Sequence, residues 1–243
     1  METIERKLTD SGFVIRVGGE IAYTPLGKKL KTTIENKVRT QLNYLKAEEI
    51  ELPTLVDYSK LQLDRNITFA RNFSCFKTTT KEGYKLLLAR TSEETATDYF
   101  MQRSREEAVV YQIKTKFRNE NASELGFLKR QEFTMVDAYS FDHSVEEMER
   151  TYRKVKESFA HLLSDLQIPF SMRDTTADCS FGMSSEEFLC DSEGLQGVEL
   201  GHIFQLGDLY TKPYGRKLMM GSYGLGIDRL VAAVALSNQG EGR

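Results

Sequence analysis

The segment GSYGLGIDRL, residues 221–230, joins a β-type run, KLMMGSYG (217–224), to an apolar helix through three glycines. A dinucleotide-binding loop also crowds glycines at a strand-to-helix junction, but its spacing differs and it sits in a βαβ unit. Here the spacing is wrong and no βαβ unit follows. Glycines at such a place let backbone and ligand approach closely. Arg229 falls in the first turns of the helix, where it could reach back to a phosphate. A packing junction with a surface arginine accounts for the same residues.

The rest of the chain gives this junction a setting. In GKKLKTTIENKVRTQLNYLKA (27–47), Leu30, Ile34, Val38, Leu42 and Leu45 recur about one helical turn apart, so the spacing predicts an amphipathic helix with a basic outer face. EIELP (49–53) reads as a short strand stopped by proline. Residues 92–107 and 145–166 read as helices, the second with Val145, Met148, Tyr152, Val155, Phe159 and Leu162 on one side. Strands are predicted at 84–89, 109–117, 132–141, 187–190, 198–207 and 217–224. Strands joined by tight connections, with helices grouped and not strictly alternating, predict an α+β fold: a largely antiparallel sheet flanked by helices. Only 57–82 is long, polar and without strong period.

The 243 residues suffice for one large domain or two small ones, and a single domain, 1–243, is the expectation. No apolar run approaches the roughly 20 residues needed to cross a bilayer, and METIERKLTD is not a signal peptide. Cys75, Cys179 and Cys190 are odd in number and lack metal-ligand spacing, so they are expected to be reduced thiols of a cytoplasmic protein. The net charge of −3 argues against a protein that coats nucleic acid, while leaving room for a local basic face.

Four constellations carry chemistry. In KFRNENASELGFLKRQEF (116–133), Arg118 offers a planar fork of donors, Glu120 points to the same face, and Phe133 returns on the next strand as a platform for a flat ring. Together these suit a nucleotide; a solvated, salt-bridged hairpin with one core phenylalanine is the plain alternative. In ARTSEETATD (89–98), Thr91 and Glu93 suit an ammonium group, although Thr91 or Ser92 would serve equally as a helix N-cap. In VELGHIFQLG (198–207), Glu199 and His202 interrupt an apolar strand. A satisfied core histidine is the simpler reading of His202, whereas a carboxylate there wants a cation or donors. The glycine junction is the fourth.

In this order the pieces resemble the catalytic core of the class II aminoacyl-tRNA synthetases, closest to the bacterial-type prolyl-tRNA synthetases, over roughly 20–235. YTPLGKKLKTTIENKVRTQL…EEIELPTL looks like motif 1, with Pro53 as its hallmark. YQIKTKFRNE…GFLKRQEFTMVDAYSFD looks like motif 2, and GSYGLGIDRL like motif 3. RTSEE, DAYSFD and GHIFQLG point toward proline. The resemblance implies that Arg118 binds the ATP α-phosphate and the amino-acid carboxylate, Glu120 faces the adenine amine, Phe133 stacks on adenine, and Arg229 covers the other face and holds the γ-phosphate. It implies that Glu199 helps hold Mg²⁺ and that Gln112 lies along the adenylate. Thr91, Glu93 and His202 would form the proline pocket, above a floor kept low by Gly224 and Gly226. A homodimer through motif 1 is implied as well. Catalysis would then be positioning and charge neutralisation, with no protein nucleophile.

The sequence departs from the family where Arg-Pro-Arg usually follows the Arg-x-Glu of motif 2: Ala122, Ser123 and Glu124 stand there. Gln131 and Arg90 replace a usual arginine and proline, and DCSFGMSSEEF looks shortened around Gly182. Only GLQG lies where the bacterial editing insertion would fall, and no anticodon-binding domain follows before Arg243. The expectation is ATP-dependent activation of an amino acid, proline by the markers, with weak tRNA transfer. The alternative is a free-standing paralogue that serves another acceptor or has a non-catalytic binding role.

Overall fold

A computed structural model describes residues 3–61, 75–103, 108–119, 126–178 and 182–237. Helix α1 (Ile4–Asp10) leads into a hairpin of β1 (Val14–Val17) and β2 (Glu20–Tyr23), then helix α2 (Pro25–Tyr44). The α2 helix starts two residues before the predicted point because Thr24 caps it: the Thr24 hydroxyl accepts the Gly27 N–H at 3.1 Å, and Pro25 fits the first turn. Two small elements follow, β3 (Glu48–Glu49) and β4 (Leu55–Asp57), then β5 (Lys77–Thr79) and β6 (Lys85–Leu88). Strands β4, β6 and β5 form a separate three-stranded sheet.

Helix α3 (Glu93–Met101) precedes the long strands β7 (Ala108–Phe117) and β8 (Glu132–Asp142). Helix α4 (Val145–Asp165) follows, then β9 (Phe170–Asp174), β10 (Ser184–Cys190), β11 (Glu199–Gly207), β12 (Met219–Gly226) and helix α5 (Ile227–Ser237). Ser144 caps α4 by accepting the Glu147 N–H at 3.2 Å. The main sheet has seven strands in the order β3-β7-β8-β12-β11-β10-β9. Every pairing is antiparallel except β3 with β7. The α+β expectation holds.

The expected strand at 49–53 shrinks to Glu48–Glu49 and pairs in parallel, because it meets β7 only at Val110 and Tyr111. The helix expected over 92–107 ends at Met101.

Side chains alternate across each strand. One face, with Tyr111, Val136, Ala138, Tyr223, Leu225, Ile203 and Phe188, packs into the main core with α2, α4 and α5. Burial of aliphatic and aromatic side chains there supplies the dominant stabilisation. The opposite face is only partly covered, by a smaller core in which Phe100 of α3 stacks on Phe141 with centroids 4.1 Å apart. The rest of that face mixes polar side chains with Phe133 and Met135.

Candidate active site

Cross-strand register lays out the polar face. Gln112 pairs with Asp137, Asp137 with Gly224, Gly224 with His202, and His202 with Glu187. Five strands thus contribute one residue each to a single row. A neighbouring row runs through Tyr139, Ser222 and Phe204. The row has almost no height at its middle, where Gly224 lies: a Cβ added there would come within 3.3 Å of Met135 Cε. At Gly226 an added Cβ would meet Arg229 Cδ at 3.3 Å, so glycine leaves room for that arginine to fold back over the sheet.

Strand β11 carries a bulge. Its register with β10 shifts so that Leu189 faces Glu199 while Phe188 faces Gly201. Regular alternation would send residues three apart to opposite faces. The extra residue, buried Leu200, brings Glu199 and His202 onto one face.

His202 Nδ1 lies 3.5 Å from Glu187 Oε1 and 3.7 Å from Glu199 Oε1, and its Nε2 is 3.1 Å from Thr175 Oγ1. The imidazole stacks on Phe204 at 3.9 Å. Burial pushes its pKa down, against the upward pull of Glu199 and Glu187.

The amino end of α3 faces this row. Glu93 accepts hydrogen bonds from the Thr91 hydroxyl and, at 3.1 Å, from Ser222 Oγ on β12. Thr91 and Glu93, expected on one face, are thus brought together by a hydrogen bond. The cap does not form: Ser92 holds the N-cap position of α3, but its side chain makes no capping hydrogen bond.

At the far end of β7 and β8, the Arg118 guanidinium lies over the Phe133 ring at 5.1 Å, and Arg118 Nε is buried without a hydrogen-bond partner. Arg229 donates to the Leu128 carbonyl at 3.1 Å and to Glu199, both its carbonyl at 2.6 Å and its carboxylate at 3.1 Å. Gln112 is 3% exposed and committed to protein groups: it accepts the Leu52 N–H and donates to Ser92 and Asp137. Glu120 and the substituted positions Ala122, Ser123 and Glu124 lie outside the described residues, as does Cys179. Cys190 is a buried free thiol.

Sequence reasoning missed the strut beneath the site. Asp228 is nearly buried and accepts from Arg130, from Tyr23 Oη at 2.6 Å, from Lys31 Nζ at 3.2 Å and from the Thr134 N–H at 3.1 Å. Burial opposes its charge, but Arg130 and Lys31 outweigh that and hold the carboxyl below its usual range. One carboxylate thereby ties α2, β8 and α5 together. An aspartate at the start of an otherwise apolar helix was the available signal. Glu187 was also missed.

Comparisons with known proteins agree on the kind of chain this is. Residues 76–238 match the family described as tRNA synthetase class II core domain (G, H, P, S and T). A proline--tRNA ligase of Corynebacterium aurimucosum is 30% identical over 191 residues, covering 76% of this chain and 32% of the relative. That of Pelagibacter ubique is 27% identical over 311 residues, covering 95% of the chain and 70% of the relative. The chain thus spans about a third of the length of the actinobacterial relatives. Among solved structures, Giardia lamblia prolyl-tRNA synthetase in complex with prolyl-adenylate superposes with a TM-score of 0.86 at 16% identity, over 95% of this chain and 50% of that one. A Cryptosporidium parvum prolyl-tRNA synthetase complexed with L-proline and AMP gives 0.79 at 14%, over 96% of this chain and 52% of that one.

Proposed function

The chain belongs to the class II tRNA synthetase core family, and from that premise we propose that it activates proline with ATP. In this reaction the amino-acid carboxylate attacks the α-phosphorus, a new P–O bond forms, the α–β bridging P–O bond breaks, and pyrophosphate leaves. The observation that carries the reading is Arg118: a half-buried guanidinium beside an aromatic face, with a buried Nε that no acceptor among the described residues satisfies. A buried donor of that kind wants an anion.

Arg118 would bind the α-phosphate and the amino-acid carboxylate, with Phe133 as the adenine platform and Glu120 as acceptor for its amine. Arg229 would exchange part of its bond to Glu199 for the γ-phosphate. Glu93, already oriented by Thr91 and Ser222, would take the ring ammonium, with His202 and Gly224 completing the pocket. Gln112 would act from beneath the amino-acid half of the adenylate, through the groups it holds.

Mg²⁺ takes oxygen ligands and usually binds one or two carboxylates plus phosphate. Glu199, half-exposed with both a cation and an imidazole beside it, fits as such a ligand. When bound, the ion would neutralise charge on the phosphate oxygens.

No helix among the described residues is long and apolar enough to cross a membrane. A homodimer through α2 and a cytoplasmic location belong to the same reading. The tight connection between β10 and β11, closed by Leu195 N–H to Ser192 O at 3.0 Å and Gly197 N–H to Cys190 O at 2.8 Å, supports a single core without an editing insertion at that place. Amino-acid-dependent ATP–pyrophosphate exchange across all twenty amino acids tests the proposal. Exchange with proline is expected, and no exchange with any amino acid would overturn it.

A further inference from the structure

Ser92 occupies a helix N-cap position and does not cap. A serine side chain there normally satisfies a backbone N–H of the first turn. Here the hydroxyl turns into the sheet, where Lys116 and Gln112 of β7 meet it and Tyr139 and Asp137 of β8 complete the network. Lys116 Nζ donates to Ser92 Oγ at 2.6 Å and Gln112 Nε2 at 3.3 Å, while the Ser92 N–H donates to Tyr139 Oη at 3.1 Å. Asp137 binds the other ends: it pairs with Lys116, accepts from Tyr139 at 2.5 Å and from Gln112 at 3.1 Å. Lys116 is 2% exposed and Ser92 1% exposed. Burial works against the Asp137 charge, but Lys116 beside it holds the carboxyl below its usual range.

A buried ion pair is a poor means of stabilising a fold, because desolvation consumes most of the Coulombic gain. What this one does is converge on a single residue, and that residue stands between Thr91 and Glu93. We propose that Lys116, Asp137, Gln112 and Tyr139 are positioning residues that hold Ser92, and through it set the Thr91–Glu93 pair against the sheet so that Glu93 receives the amino-acid ammonium. The network touches no substrate. It lies under the pocket and ties amino-acid recognition on α3 to the strands that carry Arg118 and Phe133. The proposal rests on the adenylate-forming reading above and concerns the amino acid's half of that site, not the nucleotide's.

Two variants test it. Ser92→Ala removes the hydroxyl and leaves the ion pair in place. The double variant Lys116→Met, Asp137→Asn removes both charges together, which avoids leaving one buried and alone. In pyrophosphate exchange, each should raise the KM for the amino acid by about tenfold or more, the scale expected for losing a hydrogen bond to a charged group, and change the KM for ATP by less than about twofold. Hydrogen exchange on the ligand-free protein should show amides 91–96 losing protection by a similar factor, while 134–138 keep theirs. KM values for both substrates rising together, or unchanged protection at 91–96, would overturn the proposal. Hydrogen exchange needs no activity. Absence of exchange activity in the unaltered protein would therefore defeat the functional reading alone, and the protection data would still decide the network.

Discussion

The carboxylate of Glu199 and the imidazole of His202 stand 3.7 Å apart on one face of β11, although they are three positions apart along the strand. The bulge at Leu200 makes this possible, and it places a carboxylate within reach of both Arg229 and the pocket histidine.

Arg118→Ala should lower pyrophosphate exchange on the order of 10²-fold, the usual cost of removing a preorganised donor to transition-state charge. The comparison is of kcat/KM at saturating amino acid. An unchanged rate would mean that the guanidinium over Phe133 is structural only.

Asp228→Ala strands two cations, Lys31 and Arg130, each with 12% of its side chain exposed. Breaking a buried pair in this way costs about 3–5 kcal/mol. Urea unfolding should show a lower midpoint at an unchanged slope. A loss below about 1 kcal/mol, the range of exposed pairs, would mean that solvent reaches the cluster.

Burial lowers the His202 pKa below its ordinary 6.5. The unfolded chain then binds the proton more readily than the folded one, so stability is intact above the unfolded value and falls as the pH drops below it. The thermal midpoint should decline on acidification through about pH 6.5, and less steeply in His202→Gln. Parallel profiles for the two proteins would refute this.

The flank of α2 and the neighbouring hairpin leave Leu26 50%, Tyr44 77%, Ile15 47% and Val17 57% exposed. Large apolar side chains left exposed along α2 and the hairpin suit a contact with a second copy. Light scattering at micromolar concentration should give the dimer mass; a monomer would count against α2 as the contact.

Exchange and charging of proline tRNA, measured in one preparation, should diverge, with charging weak. An acceptor stem is a dense row of phosphates that needs several basic contacts. This chain carries a net charge of −3 and places Glu124 where the family usually supplies arginine. Efficient charging at nanomolar tRNA would show that the altered hairpin is no handicap.

What could be read from the sequence followed the strength of its periodic signals. Strands β7, β8 and β11 and helices α2 and α4 are long and patterned, and they appear close to where spacing predicts. Strands β1 and β9 are four and five residues long and were not anticipated. Pairing of short strands depends on neighbours distant in sequence more than on local composition. The Thr91–Glu93 pair was legible because a two-residue interval defines it. The Ser92 network was not, since it depends on which way one hydroxyl turns. The bulge was hidden for a related reason: an extra residue in a strand exists only relative to its partner's register. Asp228 was visible as a residue, but its ligands come from three separate segments.

The row from Gln112 to Glu187 has a consequence for how the proposed site is assembled. Each member sits on a different strand, and at its centre Asp137 and Gly224 are neighbours although helix α4 and strands β9, β10 and β11 come between them in the chain. Contacts of long sequence separation form late and slowly, because loop closure must precede any gain from pairing. The proposed amino-acid pocket is therefore expected among the last parts of the molecule to form. A chain halted during synthesis before β12 has neither Ser222 nor Gly224 and holds no pocket in any partial form. Refolding followed by proline binding should lag behind refolding followed by helix content.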